Sequence, residues 1–255
     1  MDNIRDIFLG IPLGGDAGMH HGCHLGVMDC MPSKHRVRAN IAASSALTAN
    51  FNSLLVSALN MRQDGVALDY FVMLHSDICP EKGWLDKLVT IAEGTQADVL
   101  SVVSPIKNEL GLTSSGVDTS KWTPRRFTMA ELQQMPATFD STYTLEHFRA
   151  PLLINTGLML IRLADTWITE FPGFNIDNTI YRDANGVFHS FFEPEDWKFS
   201  RWAFTNHLRV FNTREIALQH MGQAGYPNQG SWGSLAVDNI NLVNGALGAA
   251  GLLPK

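Results

Sequence analysis

The chain has 255 residues, and its 19 Lys and Arg against 25 Asp and Glu give a formal net charge of −6. Hydrophobic residues make up 45% and charged residues 17% of the chain, a composition that excludes wholesale disorder. The acidic balance argues against a protein that works by binding nucleic acid non-specifically. The length suits a single domain over residues 1–255.

Export and membrane insertion find no support in the sequence. The N-terminal residues do not lead from a basic segment into a long apolar one, as a signal peptide would. The apolar stretch at residues 151–160 is interrupted by Asn155 and Thr156 and is too short to cross a bilayer. Three cysteines without a C-x-x-C spacing favour a reducing compartment. We therefore expect a cytoplasmic protein with no membrane insertion.

Apolar runs and helical periodicities alternate along the first hundred residues. The run at residues 7–11 predicts a strand, and the apolar spacing of three and four over residues 41–61 predicts a long helix. The continuously apolar run at residues 70–74 predicts a strand buried on both faces. A helix should follow Pro80, because four apolar side chains then share one face. These are Trp84, Leu85, Leu88 and Ile91.

The rest of the chain holds further strand signals between polar segments. Strand pieces are predicted at residues 99–103, 152–161, 208–211 and 216–220, and a turn entering a helix at residues 191–202. This alternation indicates an α/β fold with a mostly parallel, twisted sheet flanked by helices.

A His-Ser-Asp tripeptide directly follows the predicted buried strand. His75, Ser76 and Asp77 therefore fall at the carboxyl end of a strand, where open α/β sheets bind ligands. A carboxylate there can hold a divalent cation, and the cation can hold a diphosphate. The alternative is that Asp77 caps the next turn.

Two further patterns carry ionisable side chains. Glu195 and Asp196 stand at the entrance of a predicted helix, where they either cap it or supply a general base. His220 ends a strand piece and is followed by Met221 and Gly222. It is a candidate metal ligand or a structural histidine.

In this order and spacing, the three patterns resemble the GT-A family of nucleotide-sugar-dependent glycosyltransferases, family 2-like members in particular. Asp77 stands where the family's metal-binding Asp-x-Asp stands, and residues 78–85 resemble the hydrophobic-x-Pro-x-x-Gly-Trp-Leu segment that often follows it. Glu195 and Asp196 are similar to the family's acidic pair on the acceptor side. His220 is similar to the C-terminal histidine that completes the metal site. The likeness covers residues 4–222.

The resemblance assigns further residues to the donor. Arg38 and Asn40, at the start of the predicted long helix, are similar to the family's Arg-Asn near the nucleotide. Pro12 and Gly14 open the loop that wraps the base and ribose in the family, and Gly157 lies on an apolar strand. The predicted donor-binding set is Pro12, Gly14, Arg38, Asn40, His75, Ser76, Asp77 and Gly157.

The sequence departs from the family pattern at His75, which replaces the first Asp of Asp-x-Asp. A histidine can hydrogen-bond a ribose hydroxyl or bind Mn²⁺, which accepts imidazole. The predicted metal ligands are Asp77, His220 and His75, with Mn²⁺ or Mg²⁺ as the ion. The replacement also supports an alternative, a catalytically inactive nucleotide-sugar or glycan-binding module on the same fold.

The resemblance implies a metal-dependent glycosyltransferase that moves a sugar from a nucleoside diphosphate sugar, expected to be a UDP-sugar, to an acceptor hydroxyl. The acceptor is open among a saccharide, a protein, a small molecule and a modified nucleobase, the last disfavoured by the net charge. Residues 104–150 would be an acceptor-side insertion and residues 223–255 a C-terminal flap or tail. If the reaction inverts the anomeric centre, Asp196 takes the acceptor proton, with Glu195 as the alternate. If it retains configuration, both carboxylates only bind the acceptor.

Overall fold

A computed structural model of the chain describes residues 4–14, 18–118, 124–143 and 150–235. These residues contain six α-helices, fifteen strands and one 3₁₀ turn at Ser141–Tyr143. The helices are α1 (His21–Met28), α2 (Leu47–Gln63), α3 (Trp84–Thr95), α4 (Met129–Leu132), α5 (Asp165–Ile168) and α6 (Glu195–Thr205). The strands are β1 (Asp6–Gly14), β2 (Arg36–Ser44), β3 (Tyr70–Leu74), β4 (Ile78–Pro80), β5 (Val99–Val102), β6 (Leu112–Val117), β7 (Arg125–Thr128), β8 (Thr138–Phe139), β9 (Leu152–Leu153), β10 (Leu158–Arg162), β11 (Asp177–Arg182), β12 (Phe188–Glu193), β13 (Val210–Thr213), β14 (Leu218–Met221) and β15 (Gly225–Pro227).

Seven strands form the central sheet, in the order β2-β1-β3-β10-β5-β13-β8. β1, β2, β3, β5 and β13 run in one direction, and β10 and β8 run against them. The prediction of a mostly parallel sheet is confirmed. Since these five strands end at the same edge, the loops that follow them meet there. We call this the carboxyl edge.

The sheet is buried on both faces, as the strand β3 shows. Phe71 and Met73 enter the apolar core that also contains residues of α2, whereas Tyr70, Val72 and Leu74 enter the core that contains residues of α3. A fully buried side chain of this size stabilises the fold by about 1.5–3 kcal/mol. Helices therefore flank the sheet, and their packing fixes the position of the loop that follows β3.

The predicted strands at residues 7–11, 70–74 and 99–103 are confirmed as parts of β1, β3 and β5, and the helix after Pro80 is confirmed as α3. The predicted strand at residues 152–161 is two strands, β9 and β10. Among the described residues, no helix combines the length and the apolarity that crossing a bilayer requires.

The predicted start of the long helix was wrong. Residues 36–44 form β2, which pairs in parallel with β1 from Asp6–Arg36 to Gly14–Ser44, and α2 begins only at Leu47. The ladder to the buried strand β1 satisfies the backbone of these residues. This pairing outweighs the helical spacing of the apolar residues. The β-branched side chain of Ile41 also favours a strand over a helix.

Three smaller sheets lie beside the central one. Strands β15, β14 and β4 form the first, strands β7, β6 and β9 form the second, and β11 and β12 form a hairpin. The first small sheet extends from the residue after Asp77, and the second is built largely from the polar segment 104–150. Both therefore continue from the carboxyl edge.

Candidate functional site

The turn after β3 brings two of the predicted site residues together. The strand β4 pairs with β14 so that Ile78 lies opposite His220, and Met221 N donates a hydrogen bond to Asp77 O at 2.8 Å. As a result, His220 Nε2 lies 3.4 Å from Asp77 Oδ2. The pairing of two distant strands thus accounts for the proximity of Asp77 and His220.

A third side chain, one that the sequence did not point to, contacts the same carboxylate. Lys107 Nζ donates a hydrogen bond to Asp77 Oδ2 from the loop that follows β5. His220 Nδ1 donates to Pro105 O at 2.7 Å and so ties this loop to β14. Lys107 lies in the loop after a buried strand, which is the same signal that pointed to Asp77. We call His75, Asp77, Lys107 and His220 the Asp77 cluster.

The electrostatics of the Asp77 cluster favour an ionised Asp77 and a neutral His75. Burial alone would raise the pKa of Asp77, but hydrogen bonds from His220 and Lys107 outweigh it and hold that pKa well below its ordinary value. Burial lowers the pKa of His75 to about 4, so its ring is neutral at pH 7. The ring of His75 packs against Phe51 at a centroid distance of 5.0 Å.

Two buried polar atoms of the cluster have no hydrogen-bond partner among the described residues. These atoms are His75 Nε2 and Asp77 Oδ1. A buried polar atom without a partner costs about 1–3 kcal/mol. Both atoms are shielded from solvent, so a ligand at the cluster meets Lys107 and His220 first.

The predicted metal ligands do not fit a divalent cation in this arrangement. Asp77 and His220 are neighbours, but Lys107 occupies the carboxylate oxygen that faces His220. Within the described ranges, no three His, Cys, Asp or Glu side chains are placed to hold a metal ion. The requirement for Mn²⁺ or Mg²⁺ therefore stays a prediction, and we derive no catalytic step through a metal.

A second group of charged side chains lies at the N-terminus of α6. Glu195 and Asp196 occupy its first turn, and Trp197 N donates to Asp196 Oδ1 at 2.8 Å. Burial, aided by the charge of Glu195 and opposed by that of Arg126, raises the pKa of Asp196 to about 7. Burial also raises the pKa of Glu195. A carboxylate with a pKa near neutrality is suited to accept a proton.

Residues of the polar segment 104–150 pack against this helix terminus. The guanidinium of Arg126 lies over the ring of Trp197 at 4.3 Å, and Arg126 Nη1 donates to Thr113 O at 3.1 Å. Trp197 Nε1 donates to Ser114 O at 3.2 Å. The segment therefore borders the predicted acceptor carboxylates, and its role in binding an acceptor stays a prediction.

A short segment connects the two charged groups. Ile154 N donates to Ser200 Oγ at 3.0 Å, and Ser200 Oγ donates to Asp196 O at 2.7 Å. At the other end of the segment, His75 N donates to Gly157 O at 2.8 Å. Residues 154–157 thus join the Asp77 cluster to the start of α6, and Gly157 supports the backbone of His75.

The other predicted donor residues are dispersed. Pro12 is buried and Gly14 exposed at the carboxyl end of β1, and residues 15–17 of the glycine-rich loop lie outside the described residues. Arg38 Nη1 instead donates to Asp6 Oδ1 at 3.2 Å, at the start of β1. Asn40 lies opposite Gly10 in the middle of β2, and its Oδ1 accepts from Ile41 N. Neither Arg38 nor Asn40 belongs to the carboxyl edge.

Two more predicted features lie close to the Asp77 cluster. Ser76 O accepts a hydrogen bond from His20 N at 2.8 Å, which fixes the start of α1 against the turn. Of the predicted C-terminal flap, residues 223–235 are described, and Ser234 N donates to Glu109 O at 3.1 Å in the loop that carries Lys107. Residues 236–255 lie outside the described residues.

Comparisons with known proteins give only distant likenesses. No family model and no curated protein matches the chain. A197 from STIV is 14% identical, with a TM-score of 0.43 and 86% of each chain covered. A protein assigned as a UDP-N-acetylglucosamine pyrophosphorylase from Entamoeba histolytica is 9% identical, with a TM-score of 0.41 and coverage of 93% of this chain and 79% of that one.

Residues 1–349 of TarS from S. aureus, solved in complex with UDP-GlcNAc, are 10% identical to this chain, with a TM-score of 0.36. The match covers 92% of this chain and 60% of that one. Because all three TM-scores lie below 0.5, these likenesses decide neither the fold family nor the function.

Proposed function

We propose that the chain transfers a sugar from a nucleoside diphosphate sugar to a hydroxyl group of an acceptor. The observation that carries this proposal is the placement of two charged groups at one edge of the sheet. The Asp77 cluster offers hydrogen bonds and charge to a diphosphate, and Asp196 offers a carboxylate whose pKa is raised to about 7. The sequence resemblance to GT-A enzymes supports a UDP-sugar as the donor.

In the proposed reaction, Asp196 acts as the general base. Its carboxylate accepts the proton of the acceptor hydroxyl while the acceptor oxygen forms a bond to the anomeric carbon. The bond between that carbon and the phosphate oxygen breaks, and its electron pair leaves with the nucleoside diphosphate. This mechanism inverts the anomeric centre. In this proposal Glu195, in the same helical turn, binds a second hydroxyl of the acceptor.

Arg126 acts on the base indirectly. Its positive charge opposes the rise in the pKa of Asp196, and its stacking on Trp197 holds the guanidinium beside the helix terminus. A positive charge at this place keeps a fraction of Asp196 ionised at pH 7, as a base requires. We therefore assign Arg126 as a positioning residue for the acceptor side.

The proposal is tested by following release of nucleoside diphosphate from a panel of nucleotide sugars, with a mixture of saccharide and small-molecule acceptors. The wild type should release nucleoside diphosphate from nucleotide sugars that carry one particular nucleotide. Asp196→Asn should bind that donor equally well and turn over at least about 10²-fold more slowly. Asp64→Asn, a change of the same kind at the exposed end of α2, is the matched control.

Three outcomes count against parts of the proposal. A normal rate in Asp196→Asn would remove Asp196 from the role of base. Donor binding without turnover in the wild type would instead support the inactive nucleotide-sugar-binding module. A wild type that binds no nucleotide sugar would overturn the function itself.

A further inference from the structure

The contact between Lys107 and Asp77 suggests where the positive charge of the donor site comes from. We propose that Lys107 is the built-in cation that holds the leaving diphosphate, so that the donor binds without a divalent metal. This inference rests on the proposed function. It departs from the resemblance, which implies a metal at the same carboxylate.

Lys107 is held both at its ammonium and along its aliphatic stem. Its ammonium hydrogen-bonds Asp77 Oδ2. Its aliphatic stem lies on the backbone of Gly222, where an added Cβ would come within 3.1 Å of Lys107 Cδ. The absence of a side chain at residue 222 therefore leaves room for the stem and explains the glycine that follows His220 and Met221.

The ammonium of Lys107 retains N–H donors for a ligand. A lysine ammonium carries three N–H donors, and Asp77 accepts one of them. The Lys107 side chain is 34% exposed, so the remaining donors are open to a phosphate oxygen. Hydrogen bonds from an ammonium to phosphate are charge-assisted and about twice as strong as neutral ones.

Lys107 and a divalent cation would compete for the carboxylate of Asp77. A divalent cation such as Mg²⁺ binds a carboxylate oxygen at about 2.0–2.1 Å. Asp77 Oδ2 already contacts Lys107 and lies 3.4 Å from His220 Nε2, and Asp77 Oδ1 is buried. A metal at this carboxylate would have to displace Lys107, whereas a diphosphate can bind Lys107 where it stands. In this arrangement, Asp77 positions the lysine.

The test measures the affinity of UDP and of the other nucleoside diphosphates by calorimetry, in EDTA and in Mn²⁺. The variants are Lys107→Met, Lys107→Arg and Lys87→Met. Lys87 is the matched control because it also pairs with a carboxylate, that of Glu81 at 2.8 Å, from the helix α3. Melting temperatures measured alongside show that each variant is folded.

The wild type should bind one nucleoside diphosphate equally well in EDTA and in Mn²⁺. Lys107→Met should bind it at least about tenfold more weakly, as expected for the loss of one charge-assisted hydrogen bond. Lys107→Arg should recover part of the affinity, and Lys87→Met should match the wild type. If Lys107 had only a structural role, Lys107→Met would bind the diphosphate and the monophosphate more weakly by the same factor. If Lys107 contacts the phosphate, the affinity for the diphosphate should fall more than that for the monophosphate.

Two results would overturn the inference and leave the proposed function standing. One is binding by the wild type only in Mn²⁺, with Lys107→Met binding as well or better, which would make Lys107 a competitor of the metal. The other is binding in EDTA that Lys107→Met does not change. If the wild type binds no nucleoside diphosphate in either condition, the proposed function itself fails.

Discussion

Replacing Asp196 by asparagine should stabilise the protein while it removes the proposed base. The pKa of Asp196 rises from the ordinary 3.8 to about 7, with burial as the main cause. Between about pH 4 and pH 7 the folded state therefore holds a proton that the unfolded state has lost. The free energy of unfolding falls as the pH rises through this window, because the folded state binds more protons than the unfolded one.

The magnitude follows from the two pKa values. The difference between 3.8 and about 7 corresponds to about 4 kcal/mol against the ionised carboxylate in the folded state. The side chain keeps some exposure to water, so we expect about half of this, roughly 2 kcal/mol. Asparagine has the same shape and does not titrate. The melting temperature of Asp196→Asn should equal that of the wild type at about pH 4 and exceed it by about 4–8 °C at pH 8.

The assay is calorimetric unfolding of the wild type, Asp196→Asn and the control Asp64→Asn at pH 4.5 and at pH 8. The control should match the wild type at both values. An equal change in melting temperature at both pH values, or a lower melting temperature of Asp196→Asn at pH 8, would show that Asp196 does not carry the unfavourable charge.

Three further predictions concern the same edge of the sheet. The rate kcat/KM should rise with pH to a plateau above about pH 7, because only the ionised form of Asp196 accepts a proton; a flat profile from pH 5 to pH 9 would contradict this. Gly222→Val should displace the stem of Lys107 and weaken UDP binding about tenfold, measured by calorimetry, with the fold kept; unchanged affinity would refute the role of the glycine. Arg201→Met should lower the free energy of unfolding in urea by about 3–5 kcal/mol, since it leaves the carboxylates of Glu193 and Asp118 without their shared partner; a loss below 1 kcal/mol would mean that water replaces the arginine.

The elements of the central sheet could be predicted where burial on both faces produces an uninterrupted apolar run. The run at β3 is such a case, because both of its faces enter an apolar core. The edge strand β2 was missed because it is largely exposed, so its sequence carries no such run. The hairpin β11–β12 was missed for a similar reason, since Ile180 and Phe188 are exposed and produce no core-facing alternation.

The candidate site was predictable only in part. Asp77 was found because it directly follows a buried strand, and its proximity to His220 followed from the resemblance. Lys107 follows another buried strand, but spacing along the chain does not show that its loop meets Asp77. That contact depends on the pairing of β4 with β14 and on the bond between His220 and Pro105. Arg38 was misplaced because its partner, Asp6, lies near the amino end of β1 rather than at the carboxyl edge.

The central claim, that a nucleoside diphosphate binds at the carboxyl edge, is tested most directly by hydrogen–deuterium exchange with and without a saturating nucleoside diphosphate. We expect slower exchange in the turn after β3, in the loop that carries Lys107 and around His220, with little change in β2. Protection confined to other segments, or none with any nucleotide, would contradict it.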